Sequence, residues 1–221
     1  VVPTEIDAEG LEALYGGWKK AGATYFAVRP NYHFYYMKNS IPLGFEKQMF
    51  DAFQTAYRNG ARAVDYDHIM PNWAVSAFTD YTLARTFLEP DLPFETIEKE
   101  FMASYGNAAP EMTGYYRYWR NNVWEKRILP DYRRIVELGR FHNFIRGLYW
   151  SKLKYYRESD FDETDVILAR AAKKQPSTAE KERLRQVELA NRQARLFFRA
   201  ASSSGQDRNQ AASTSWLSAK K

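Results

Sequence analysis

Along the N-terminal part of the chain, apolar residues recur at spacings of three and four. Leu11, Leu14, Tyr15 and Trp18 predict a short helix over residues 9–20. A glycine-containing turn, Ala21–Ala23, leads into a β-rich run from Thr24 to Arg29 that Pro30 and Asn31 interrupt. Helical spacing returns over residues 45–58 through Phe45, Met49, Phe53 and Ala56, and Gly60 stands just past its end, where a left-handed residue is favoured. Ala61–Tyr66 then reads as a second strand. Strand, helix, strand is a βαβ unit, which implies parallel strands joined by a right-handed crossover.

After Pro71 the pattern is helical. Ala74, Ala77, Phe78, Tyr81, Ala84 and Leu88 form one stripe over residues 73–88. A second helix over 93–105, with Pro93 at its first position, buries Phe94, Ile97, Phe101 and Tyr105. A third, over 110–128, buries Met112, Tyr115, Tyr116, Trp119 and Val123, and a fourth is predicted over 131–157. Ser177 and Glu180 make a capping box ahead of a charged helix that ends near Ala201. Three divisions follow: a βαβ portion at 1–72, a helical region at 73–201, and a Ser/Gly/Gln/Asn-rich tail at 202–221 that is expected to be disordered. Two or three strands in 221 residues fit either a small α/β unit with attached helices or the last part of a barrel, whose full form takes about 250 residues.

Composition narrows the function classes. The chain has no cysteine, so disulfides and thiolate metal sites are excluded. The net charge of +5 is uneven: residues 1–150 hold 17 basic and 18 acidic side chains, residues 151–221 hold 15 and 9. The basic excess therefore lies in the C-terminal part and is predicted to be a solvated helix face. Without a recognised nucleic-acid motif, no nucleic-acid partner is predicted. No apolar run is long enough to span a membrane, and no GxGxxG or GxxxxGK[ST] stretch announces a nucleotide cofactor. The start lacks both Met and a signal pattern, so a mature product or a piece of a longer protein is expected. Aromatic residues reach 16%; they serve core packing or stacking against sugar rings.

Candidate chemistry gathers after the two strands. Alternation along 63–68 places Asp65 and Asp67 on one face and Val64, Tyr66 and His68 on the other. Two carboxylates at this spacing lie about 7 Å apart, within the span of a glycosidase acid/base pair. Such pairs come from different strands, so Asp65 and Asp67 supply at most half of one, or contact sugar hydroxyls. The alternatives are helix capping and ion pairing with Arg29 or Arg62. Arg29, Asn31, Tyr32, His33 and Tyr35 follow the first strand as Asp67, His68 and Trp73 follow the second. If the strands are parallel neighbours, both loops leave at one edge and these residues, with Tyr66, form a sugar-binding rim. No HxH or HExxH spacing joins His33 and His68, and no metal is predicted.

The segment FTDYTLARTFLEPDLPFETIEKEFMASYGNAAPEMTGYYRYW, Phe78–Trp119, resembles a bacterial family catalogued as domain of unknown function 4838. That family carries an "aRLLWdPd" phrase, matched by Ala84–Asp91, and a "YYGpAApamraYy" phrase, matched by Ser104–Tyr116; Glu89 and Ser104 replace its usual Trp and first Tyr. The resemblance implies the C-terminal part of a (β/α)8 TIM-barrel-like, glycoside-hydrolase-like domain followed by an α-helical region. It also implies a secreted, periplasmic or cell-surface protein with a carbohydrate ligand and no cofactor. The expected function is thus carbohydrate-active, a glycoside hydrolase using Asp65 and Asp67, with a non-catalytic glycan-binding or helical interaction module as the alternative.

Overall fold

The computed structural model describes residues 8–29, 41–65, 73–139 and 144–203. The predicted tail at 202–221 falls almost wholly outside them. The first helix, α1 (Ala8–Lys20), turns at Gly22 into strand β1 (Phe26–Val28). Helix α2 (Glu46–Arg58) then leads through Asn59 and Gly60 into strand β2 (Ala61–Val64). Gly60 has φ +105°, the left-handed backbone expected of a glycine just past a helix end. The two strands pair in parallel, with Phe26 opposite Ala61 and Val28 opposite Val64, and the Asp65 N–H donates to the Val28 carbonyl at 2.9 Å. The βαβ unit is as the periodicity predicts.

The barrel is not. Among the described residues the sheet has two strands and nothing extends it; helices make up most of the chain. The fold is mostly helical, not the end of a (β/α)8 domain. The local βαβ signal is the same in a small unit and in a barrel, and what distinguishes them is the next strand. Here α3 (Trp73–Leu88) follows instead, then α4 (Phe94–Ala103) and α5 (Ala109–Tyr118). These helices bury their aromatic stripes against one another: Phe78 stacks on Phe101 at 4.9 Å and meets the edge of Tyr116 at 5.4 Å. The 42 residues that carry the family resemblance are this helical core.

Two apolar clusters result. The smaller joins Leu11 and Tyr15 of α1 to Phe26, Val28, Ala52, Ala56 and Ala61 around the sheet. The larger runs from Met49, Phe50 and Phe53 through the aromatic helices to the C-terminal part. Helix α2 serves both, so its buried face is wider than a single stripe and includes Glu46 and Thr55. No helix among the described residues is long and apolar enough to cross a membrane.

Beyond α5 the helix continues with π-helical hydrogen bonding over Trp119–Ile128. At about 4.4 residues per turn, Trp119 and Trp124 share the inner face, and both are buried. The single helix expected over 131–157 is instead two: α6 (Tyr132–Leu138) and α7 (Phe144–Ser151), followed by a 3-10 turn at Lys152–Tyr155. Residues 158–172, where the periodicity predicts no element, form α8 (Glu158–Ala172). Its first turn is fixed by Asp160, which accepts from the Arg157 N–H at 2.8 Å and from Arg127 Nη2 at 2.6 Å. The capping box before α9 (Thr178–Ser203) forms as predicted: the Ser177 N–H donates to Glu180 at 2.7 Å.

Helices α6 and α7 pack so closely that a Cβ on Gly147 would lie 1.6 Å from the Ile135 carbonyl oxygen. Gly147→Ala is therefore expected to destabilise the fold by about 1–3 kcal/mol or more. Gly114→Ala, exposed in α5 with nothing near its Cβ, should stabilise by about 0.5–1 kcal/mol. Urea midpoints for the two variants should shift in opposite directions; a Gly147→Ala midpoint equal to the parent's would refute the close approach.

Candidate functional site

A parallel pair delivers both of its exit loops at one edge, and α2, returning between the strands, starts at that same end. The edge carries an ion pair: Arg29 Nε lies 3.2 Å from Asp65 Oδ2, with the side chains 49% and 75% exposed. Of the two partners open to Asp65 from the sequence, Arg29 takes it. Arg62 lies over the Tyr57 ring at 5.0 Å and donates to the Ala61 carbonyl at 2.8 Å. An exposed pair of this kind is worth about 0–1 kcal/mol, so it marks where the two strands end more than it stabilises them.

The other predicted rim residues, Asn31, Tyr32, His33, Tyr35, Tyr66, Asp67 and His68, lie outside the described residues, as does the side chain of Trp73 at the start of α3. Among the described residues no group of three His, Cys, Asp or Glu side chains is arranged to hold a metal ion. The exposed aromatic rings Trp18, Tyr25 and Tyr57 sit where α1 and α2 end and the strands begin, opposite the Arg29–Asp65 edge.

A second set of polar groups, which the sequence does not announce, lies buried under the segment 41–45. Gly44, at φ +72°, presses against the backbone of the π-helical turn: a Cβ there would be 2.2 Å from the Arg120 nitrogen. That approach brings Glu46, the first residue of α2 and 3% exposed, into the interior beside Arg120, 7% exposed. Arg120 Nη2 donates to Glu98 Oε1 at 2.7 Å and its guanidinium lies 5.2 Å from the Phe94 ring. Arg117 also grips Glu98, through Nε at 3.2 Å and through Nη2. Glu46 Oε1 is 3.7 Å from Arg120 Nη1, beyond hydrogen-bonding distance, and neither of these two atoms has a hydrogen-bond partner among the described residues.

The two carboxylates therefore shift in opposite directions. Burial pushes Glu46 up to about 7, and the more distant Arg120 only partly offsets it. Burial also acts to raise Glu98, but the hydrogen bonds from Arg117 and Arg120 outweigh it and hold that carboxyl below the usual range. A carboxyl that titrates near neutrality can carry a proton to or from a ligand. Beside Glu46 lies a cavity of ≈ 30 Å³ lined by Leu43, Phe78, Thr79, Tyr116 and Trp119 among others. Its size is that of about two water molecules.

The sequence signal for this cluster is weak. A glutamate at the first position of a helix is what the helix dipole favours at a solvated end, and only the close approach of Gly44 turns it inward. Several basic side chains of the C-terminal part are ion-paired: Arg195 meets Asp165 at 2.8 Å and also reaches Asp162 and Glu158, and Lys174 meets Glu111 at 2.8 Å. Compared with protein-family models, curated proteins and solved structures, the chain finds no match.

Glu46 makes stability depend on pH. The unfolded chain loses the Glu46 proton near pH 4.5, while the folded chain keeps it to about 7. Across that window unfolding releases a proton, so this group's contribution to stability falls as pH rises and levels off above about 7. Glu46→Gln should flatten that part of the profile. Urea midpoints measured from about pH 5 to 8 test it; parallel profiles for parent and variant would show that Glu46 titrates normally.

Proposed function

We propose that this chain is carbohydrate-active and that it takes an oligosaccharide or polysaccharide at the edge where β1 and β2 end. The observation that carries the reading is the parallel pairing of the two strands, which end at one edge with Arg29 and Asp65 side by side, each followed in the sequence by polar and aromatic residues. An arginine and an aspartate side by side offer a donor set and an acceptor set to vicinal hydroxyls, and the Tyr, His and Trp that follow each strand in the sequence suit the C–H face of a sugar ring. In a glycoside hydrolase reading, Asp65 or Asp67 supplies one member of the acid/base or nucleophile pair. Asp65 is open to water and joined to Arg29, which suits hydroxyl recognition better than proton donation, so glycan binding is the core of the proposal and hydrolysis its extension.

The rival, a helical interaction module, draws on one feature: the outer face of α9 alternates Arg185, Leu189, Arg192, Leu196 and Arg199, and both leucines are exposed. Retention on immobilised polysaccharides separates the two. The chain is expected to be retained by at least one glycan in a broad panel, and Arg29→Ala or Asp65→Asn should weaken retention about tenfold or more, as loss of a hydrogen bond to a charged group does. Arg192→Ala should leave it unchanged. Reducing-end release that survives the double change Asp65→Asn, Asp67→Asn would remove the catalytic extension, and absence of retention on every glycan would overturn the reading.

A further inference from the structure

Two turns meet at the end of the sheet unit opposite the Arg29–Asp65 edge, one joining α1 to β1 and the other joining α2 to β2. The Ala23 N–H closes the first on the Trp18 carbonyl at 3.0 Å. The Phe26 N–H ties it to the second at the Gly60 carbonyl, 3.0 Å away, and Lys19 Nζ does so at Asn59 Oδ1, 2.8 Å away. Three rings leave this joined base for water: Trp18 is 50% exposed, Tyr25 73% and Tyr57 38%. Elsewhere in the described chain most Trp and Tyr rings are packed in the core.

Charge at this end is of one sign. Lys19, Lys20, Arg58 and Arg62 are all exposed. Their hydrogen bonds among the described residues go to neutral groups: Lys19 to Asn59, Arg58 to the Thr55 hydroxyl, and Arg62 to the Tyr57 and Ala61 carbonyls. Residues 13–25 and 52–64 contain no Asp or Glu, and Glu12, earlier in α1, already accepts from Asn59 Nδ2 at 2.8 Å. On the helical body the arrangement differs, since Arg85, Arg127 and Arg195 each hold a carboxylate. The positive charge beside the three exposed rings is therefore left for an outside partner.

We propose that this end of the sheet unit docks on an anionic lipid surface, with Trp18 and Tyr25 at headgroup level and the four cations supplying the attraction. Trp and Tyr join an apolar body to a polar tip, the combination that settles at a membrane–water interface, and clustered Lys and Arg draw anionic headgroups. Between the two rings Ala21, Gly22, Ala23 and Thr24 are small and uncharged, so the turn meets the headgroups without bringing a carboxylate with it. An anionic polymer that stacks, such as single-stranded nucleic acid, needs open ring faces in a row. Here Arg62 lies over the Tyr57 ring at 5.0 Å, and Trp18 and Tyr25 come from a helix end and a turn. Docking this way leaves the Arg29–Asp65 edge facing away from the lipid, and it holds or fails whether or not a glycan is retained there.

Co-sedimentation of the full chain with vesicles tests this. Vesicles of phosphatidylcholine with about one-third phosphatidylglycerol should carry the chain down, pure phosphatidylcholine should not, and about 0.5 M salt should release it. Lys19→Ala and Lys20→Ala should each weaken binding about fivefold, as removal of one charge near an anionic surface does. Trp18→Ala and Tyr25→Ala should weaken it severalfold while leaving the urea midpoint of these exposed positions unchanged, which separates lost docking from lost folding. Arg192→Ala, on the outer face of α9, should bind like the parent. Equal binding to neutral and anionic vesicles, no binding to either, or binding unchanged in all four variants at this end would each overturn the proposal. So would capture of an oligothymidylate that depends on Trp18 and Tyr25 while vesicles are left in solution.

Discussion

Gly44 lies so close to the peptide linking Trp119 to Arg120 that only a residue without a Cβ fits, and the junction between the sheet unit and the helical body rests on that approach. Around it the segment 41–45 is fastened at further points. The Tyr156 hydroxyl donates to the Pro42 carbonyl at 2.6 Å, and the Phe45 ring lies 5.5 Å from that of Trp124. A side chain at position 44 would lift this segment from the π-helical turn. Glu46 and Arg120 would then meet water, and the start of α2 would lose its anchor.

Burial explains why one arginine serves two carboxylates so unequally. Arg120 is within hydrogen-bonding distance of Glu98 and beyond it for Glu46. Glu98 has a second guanidinium from Arg117, so its ionised form is well compensated, whereas Glu46 has only the attraction of Arg120 and a hydrogen bond from its own backbone to set against desolvation. At the strand edge the same pairing of Arg with Asp sits in water and counts for little. The contrast is one of dielectric surroundings, not of residue type.

Helices whose apolar residues keep a steady three-and-four spacing, α1, α2 and α3, were legible in the sequence within a residue or so at each end. The parallel strands and the Ser177–Glu180 capping box were legible too, because both are written in local chemistry. The break between α6 and α7 was not: it depends on Gly147 passing close under the Ile135 carbonyl, a contact between residues twelve apart. Helix α8 escaped because its inward positions, Phe161, Thr164, Leu168 and Ala171, include a polar residue and a small one among many acids. The barrel expectation failed at longer range, since no property of β1 or β2 tells how many strands follow. Of the candidate site, the strand edge could be anticipated from alternation and order, while the buried glutamate could not, because its surroundings are supplied from residues 98, 117 and 120.

The aromatic abundance bears on function in an indirect way. Most described rings are core: Phe101 meets Phe78, Tyr105 and Tyr116, and from Tyr116 the contacts continue through Tyr115 and Trp119 to Phe161. Several tyrosine hydroxyls are spent on internal partners, Tyr118 on Asp160 at 3.0 Å and Tyr155 on Asp131 at 2.6 Å. Composition by itself therefore lends no weight to sugar stacking. What remains for ligand chemistry is the polar geometry at element ends, and α2 connects it: one of its ends holds Glu46, the other Asn59, which donates to Glu12 at 2.8 Å and accepts from Lys19 at 2.8 Å. Because α2 is packed between the sheet and α3, a change in charge at Glu46 acts on the element that both cores share.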